Sequence, residues 1–164
     1  MLLGSTHTRQ PYGDEELFIN HLITQSRYAE AYILLQKESP DEPATQYNLA
    51  LCHYWAGNFR EALVCLDKAQ VTLPAVSGNA ATDQFYTAIR KRQNQLDNHL
   101  QAITKKYIAC FGVLTREAIV RLRTDCWLQL ADFSKVIEVA TPLANKNYKN
   151  ISDALQIAKN KTNL

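Results

Sequence analysis

Apolar residues in this chain return at helical spacing, and no segment alternates apolar and polar with a period of two. Leu17, Phe18 and Leu22 form one such stripe, and Tyr28, Ala31, Tyr32 and Leu35 the next. A chain with this pattern folds into helices packed on helices. Breakers at Ser39-Pro40-Asp41-Glu42-Pro43, Gly57-Asn58, Leu73 to Asn79, Gly112 and Thr141-Pro142 cut it into elements of ordinary length. The predicted helices span 14–25, 27–38, 44–56, 59–72, 82–96, 98–111, 115–130, 133–144 and 147–161. Between 82 and 111 there is neither Pro nor Gly, and Phe85, Ile89, Leu96, Leu100, Ile103 and Tyr107 would share a face of one long helix. A break at Asp97-Asn98 makes this stretch a pair instead. The pair is preferred because alternate helices then start at 14, 44, 82, 115 and 147, at intervals of 30 to 38 residues. That period implies a solenoid of helix pairs.

The unit from Ala44 to Pro74 is the best marked, with Leu49-Ala50, Gly57, Phe59, Ala62, Leu66, Ala69 and Pro74 in order. Small Ala50 and Ala62 suit a close approach of two helices, Leu49, Phe59 and Leu66 fill the space around it, and Gly57 permits a sharp turn. These residues and their separations resemble the tetratricopeptide repeat family, whose unit is about 34 residues long. Gln46 and His53 depart from the family pattern, which has a large aromatic and a Tyr there. A second copy lies 31 residues upstream, in Phe18, Ile19, Leu22, Tyr28, Ala31, Leu35 and Pro43. A degraded third copy is visible in Ile119, Leu122, Cys126, Phe133, Val136 and Ala140, with one extra residue allowed at its turn.

The resemblance implies a right-handed, all-α solenoid of antiparallel pairs, about nine helices, whose first helices line a concave groove. Tyr47, Asn48, Leu51, Tyr54 and Trp55 would face that groove from 44–56, with Glu16, Asn20, Ile23 and Thr24 from 14–25. Val120, Thr124, Trp127 and Leu128 would follow from 115–130, and Arg90 or Lys91 would supply a basic centre. Tyr47, Tyr54, Trp55 and Trp127 would anchor an apolar segment, unless they pack between repeats instead. Asn20 and Asn48 would bond its backbone, and Arg90 or Lys91 would favour an acidic neighbour. Family members that clamp a carboxylate tail place a Lys where this chain has Glu16, so that mode is not expected here.

With 164 residues, 46% of them hydrophobic, and only five Gly and five Pro, the chain suits one globular domain over 14–164 after a flexible arm at 1–13. The net charge of +2 hides an asymmetry, because residues 1–82 carry five Lys/Arg against nine Asp/Glu and the remainder thirteen against seven. Cys52, Cys65, Cys110 and Cys126 lie 13, 45 and 16 residues apart, without metal-ligand spacing, and suit reduced thiols in a cytoplasmic protein. No signal-like or membrane-spanning apolar run is present. His7, His21, His53 and His99 have no partner at catalytic spacing, and no phosphate-binding or nucleophile motif occurs. The expectation is a non-catalytic adaptor or chaperone without metal or cofactor, binding a protein or peptide segment. The alternative is a nucleic-acid binder using Arg90-Lys91-Arg92, Lys105-Lys106, Arg116, Arg121 and Arg123. Ile151, Ala154, Leu155 and Ala158 form a last stripe, which either packs on 133–144 or joins two copies as a homodimer.

Overall fold

The computed structural model describes residues 13–76 and 83–163. Its nine α-helices are α1 (Gly13–Thr24), α2 (Tyr28–Leu35), α3 (Pro43–Trp55), α4 (Phe59–Thr72), α5 (Gln84–Gln93), α6 (Lys105–Cys110), α7 (Gly112–Gln129), α8 (Phe133–Ala140) and α9 (Lys149–Thr162). Short 3-10 turns occupy Asn98–Leu100 and Thr141–Lys146, and no strand occurs among the described residues. The expected arm lies outside the described residues except for Gly13, which opens α1, as does the expected breaker at Gly78-Asn79. Gly112 opens a helix instead of interrupting one.

Local chemistry sets the helix starts. Asp14, Glu15 and Glu16 stand in the first turn of α1, where carboxylates complement the helix dipole. Pro43 begins α3, where its missing N–H costs nothing. The side chains of Asp83, Thr104 and Asp132 cap α5, α6 and α8, accepting from the amides of Tyr86 (2.7 Å), Tyr107 (3.0 Å) and Lys135 (3.1 Å).

Three antiparallel pairs, α1/α2, α3/α4 and α7/α8, share one turn. Ser26, Gly57 and Ala131 sit at its centre with φ of 62°, 79° and 55°. Their amides donate to the carbonyls of Ile23, Tyr54 and Leu128 at 2.9, 3.0 and 3.0 Å. The following amides of Arg27, Asn58 and Asp132 reach back to Leu22, His53 and Trp127 at 2.8, 2.8 and 3.1 Å. This double closure is the Schellman motif, which satisfies the last carbonyls of a helix through one left-handed residue. The third turn is therefore no longer than the second, and the extra residue expected there does not exist. Counted back from the turn, Thr124 takes the place of Ala50 and Ile19, and Arg121 that of Tyr47, and all five are buried. On the second helices Ala31, Ala62 and Val136 coincide, as do Leu35, Leu66 and Ala140, again all buried.

Helices α1 to α4 pack each on the next, and α4 then packs directly on α7, followed by α8 and α9. The pair expected at 82–96 and 98–111 is not a layer of this stack. Helix α5 ends at Gln93, because the Asn94 side chain donates to the Lys146 carbonyl at 2.8 Å and its own carbonyl accepts from Lys149 at 2.9 Å. After the turn at Asn98–Leu100 the chain is non-helical, with extended backbone at Gln101 and Thr104, before α6 begins. This inserted stretch lies over the first helices, with α6 against α3 and α7 and the 3-10 turn against α7. Ile103 and Ile108 join the main core, which runs from α1 through α4 into α7. The stripe Ile151, Ala154, Leu155 and Ala158 of α9 is buried within the chain, α9 lying against α8 and α7. Among the described residues no helix is long and apolar enough to cross a membrane.

Candidate partner-binding surface

The face formed by the first helices, expected to receive a partner, is covered by this chain's own residues 96–108. Tyr47 is fully buried and its hydroxyl donates to the carbonyl of His99. Asn48 holds Ile103 by both backbone groups: Nδ2 donates to the carbonyl at 2.9 Å and Oδ1 accepts from the amide at 3.0 Å. Asn20 lies 3.4 Å from the same Nδ2, and Leu51 is buried below. Glu16, at the place where a carboxylate clamp needs a Lys, accepts from the amide of Lys105 at 2.6 Å at the start of α6. A carboxylate there meets the positive end of a helix, so its charge serves the fold.

The cover continues as a polar network over α7. His99 is buried, with Nε2 2.5 Å from Asp125 Oδ2. Asn150 donates to Asp125 Oδ1 at 2.9 Å and to the Arg121 carbonyl at 3.1 Å, and its Oδ1 accepts from Arg121 Nε at 2.7 Å. Arg121 also donates to the Leu96 carbonyl at 2.8 Å, and its guanidinium lies 4.3 Å above the centre of the Tyr148 ring. Burial holds Arg121 below the ordinary guanidinium value, against the pull of Tyr148 and Asp125. The Tyr148 hydroxyl donates to Glu117 and accepts from Arg90 Nη2 at 3.1 Å. Burial, then the bond to Glu117, pushes that phenol up. The bonds of Asp125 to His99 and of Arg121 to Leu96 answer polar groups of the inserted stretch.

Tyr47, Asn48 and Leu51, expected to face a partner, thus lie beneath the insert. Tyr54 is half-buried between Trp55 and Phe59, with ring centres 5.3 and 5.5 Å away. Trp127 is half-buried where the main core meets Phe133 and Val136. Arg90 is half-buried on Tyr148 and Gln93, and Lys91 is exposed. Trp55 is the anchor that keeps a large open surface, at 48% exposure. It lines a different cleft from Arg90, so the two are not brought together.

The cleft that holds Trp55 lies between α2 and α3 and encloses about 560 Å³. The Trp55 ring is stacked on Tyr28 at 5.7 Å and 16°, and Tyr32 meets His53 edge-on at 5.7 Å and 79°. Ile33, 59% exposed, and Tyr32 complete its apolar rim. The stacking fixes rings that remain open to solvent, so a partner meets a shaped apolar surface. Sequence reasoning assigned Tyr28 and Tyr32 to the buried stripe of their helix and omitted Ile33. No sequence signal marked them, because helical spacing does not say which side of α2 the neighbouring pair leaves open.

Among the described residues no group of three or more His, Cys, Asp or Glu side chains could hold a metal ion. All four cysteines are free thiols, with Cys110 exposed and the others buried. Burial raises the thiols of Cys52 and Cys126 to about 12. The chain matches no protein-family model, no curated protein and no solved structure. The fold stands on its own geometry: an all-α helical solenoid with repeated pair packing, carrying an aromatic cluster on its surface.

Proposed function

We propose that this chain is a non-catalytic protein-interaction module, an adaptor or chaperone of tetratricopeptide-like build. It takes up an apolar segment of a partner protein on the aromatic cleft between α2 and α3. The observation that carries this reading is the joint exposure of Trp55, Ile33 and Tyr32 around one cleft. Rigid aromatic area of this kind concentrates binding energy when a partner covers it. The expected groove residues Tyr47 and Asn48 support the module by seating the insert. The three shared turns support the family likeness, and four free thiols suit a reducing, cytoplasmic setting.

The nucleic-acid reading draws less support, because much of its basic set is engaged within the chain. Arg116 donates to the Pro74 carbonyl at 2.8 Å, Arg123 pairs with Asp67 at 2.6 Å, and Arg121 is buried. The test is retention of partners from source-cell lysate by wild type and by Tyr32→Ala/Trp55→Ala, identified by mass spectrometry. Specific partners lost by a variant that keeps its helical spectrum support the cleft. A folded variant that retains every partner refutes it.

A further inference from the structure

Another cleft lies on the other side of the insert, between α5 and the α6–α7 corner, and encloses about 420 Å³. That volume falls in the range of small-molecule sites. Helix α5 buries none of its own side chains, and Phe85 at its start is 72% exposed. Tyr86, Ile89, Arg90 and Gln93, spaced as one helical face, line the cleft from α5. The opposite wall is apolar, built from Tyr107, Phe111, Leu114 and Ala118, with the first two rings 5.2 Å apart. Helix α5 is fixed mainly near its C-terminal end, through Asn94 to Lys146 and Lys149, Gln95 to Asn147, and Arg90 to Tyr148. It therefore stands over a floor that it does not fill.

The polar groups of this cleft are one-sided. Arg90 and Arg121 line it, and no carboxylate among the described residues does. Arg121 is consumed by Asn150 and Leu96, whereas Arg90 spends one N–H on Gln93 and one on Tyr148 and meets no acidic side chain among the described residues. The guanidinium keeps further donors for an anion. His99 forms part of the floor, and its buried Nδ1 has no hydrogen-bond partner.

We infer that the cleft beneath α5 binds a small amphipathic carboxylate, its acid group on Arg90 and its apolar body between α5 and the Phe111–Ala118 wall. This site is independent of the aromatic cleft and does not rest on the partner-binding reading. Decanoate, kept below its micelle-forming concentration, is the probe, titrated into the ¹⁵N-labelled full chain with decan-1-ol as the uncharged control. Saturable binding should shift the amides of Ala102, Phe111, Leu114 and Ala118. The alcohol should bind about tenfold more weakly, as the loss of a charge-assisted contact predicts. Arg90→Gln should bring acid and alcohol level. Ile89→Glu, at a partly exposed position outside the core, should remove decanoate binding while leaving the fold intact. Absence of saturable binding to the wild type, equal binding of the alcohol, or undiminished binding to folded Ile89→Glu overturns the inference.

Discussion

The carboxamide of Asn48 and the peptide unit of Ile103 are paired as two strands would pair, at 2.9 and 3.0 Å, across 55 positions of sequence. A single side chain on α3 thus supplies both bonds that Ile103 forgoes by leaving helix geometry. Replacing it leaves a donor and an acceptor buried without partners. Asn48→Ala should cost about 2–4 kcal/mol of stability in urea unfolding. Amides of residues 101–104 should exchange faster than those of α3 and α4. Asn48→Asp should do no better, because its carboxylate faces the Ile103 carbonyl where Nδ2 now donates. A stability change below about 1 kcal/mol for both would mean that the pair holds nothing in place.

Ala131 occupies the left-handed position that Gly57 holds in the second pair, at φ 55° against 79°. A side chain in that region pays a steric cost that glycine does not, offset in part by the greater freedom of glycine in the unfolded chain. Ala131→Gly should therefore raise stability by about 0.5–1 kcal/mol. Gly57→Ala should lower it by a similar amount, since nothing lies within 4 Å of the added methyl and strain alone acts. Thermal unfolding of the two variants beside wild type checks both signs.

The same turn shows how much of the fold was legible in the sequence. The first two pairs announce themselves because Ala31 and Ala62, Leu35 and Leu66 stand at matching places and are buried alike. The third pair was visible, but its register was misjudged by one residue: Ala131 carries no sign of a left-handed backbone, and Arg121 none of a buried position. The insert was misread for another reason. Leu96, Leu100, Ile103 and Tyr107 have helical spacing, yet bonds from Tyr47 and Asn48, more than fifty positions away, hold His99 in the 3-10 turn and Ile103 in the non-helical stretch after it. Those bonds also explain the candidate site. Tyr47 and Asn48, expected to meet a partner, bond the chain's own insert. Trp55 was singled out in the sequence and is exposed, whereas Tyr32 and Ile33 were not singled out, since helical spacing alone does not say which side of α2 the neighbouring pair leaves open.

Trp55 lies on a surface where binding and stability should separate. Its ring is about half exposed, stacked on Tyr28 and edge-on to Tyr54. Trp55→Ala should cost about 1–3 kcal/mol, the worth of two aromatic pairs, and leave the helical spectrum unchanged. In a Trp127→Phe background Trp55 is the sole tryptophan, so its emission should shift to the blue when a partner segment covers the cleft. An unchanged spectrum in a complex confirmed by sedimentation would place the contact elsewhere.

Alkaline pH should unfold this chain through its buried thiols. Cys52 and Cys126 rise from the ordinary 9.0 to about 12 because burial penalises the thiolate. Burial likewise pushes the Tyr47 phenol above its usual range. The folded state keeps protons that the unfolded chain releases, so this stability is fully present below pH 9 and is lost as pH climbs toward 12. Each thiol should contribute a fall of about 1.4 kcal/mol per pH unit within that window. Cys126→Ala removes one titrating group, and its unfolding free energy should therefore fall less steeply between those limits than that of wild type, whatever its stability at neutral pH. Urea midpoints measured at half-unit steps give both slopes, and parallel curves would show that the Cys126 thiol is not the group being titrated.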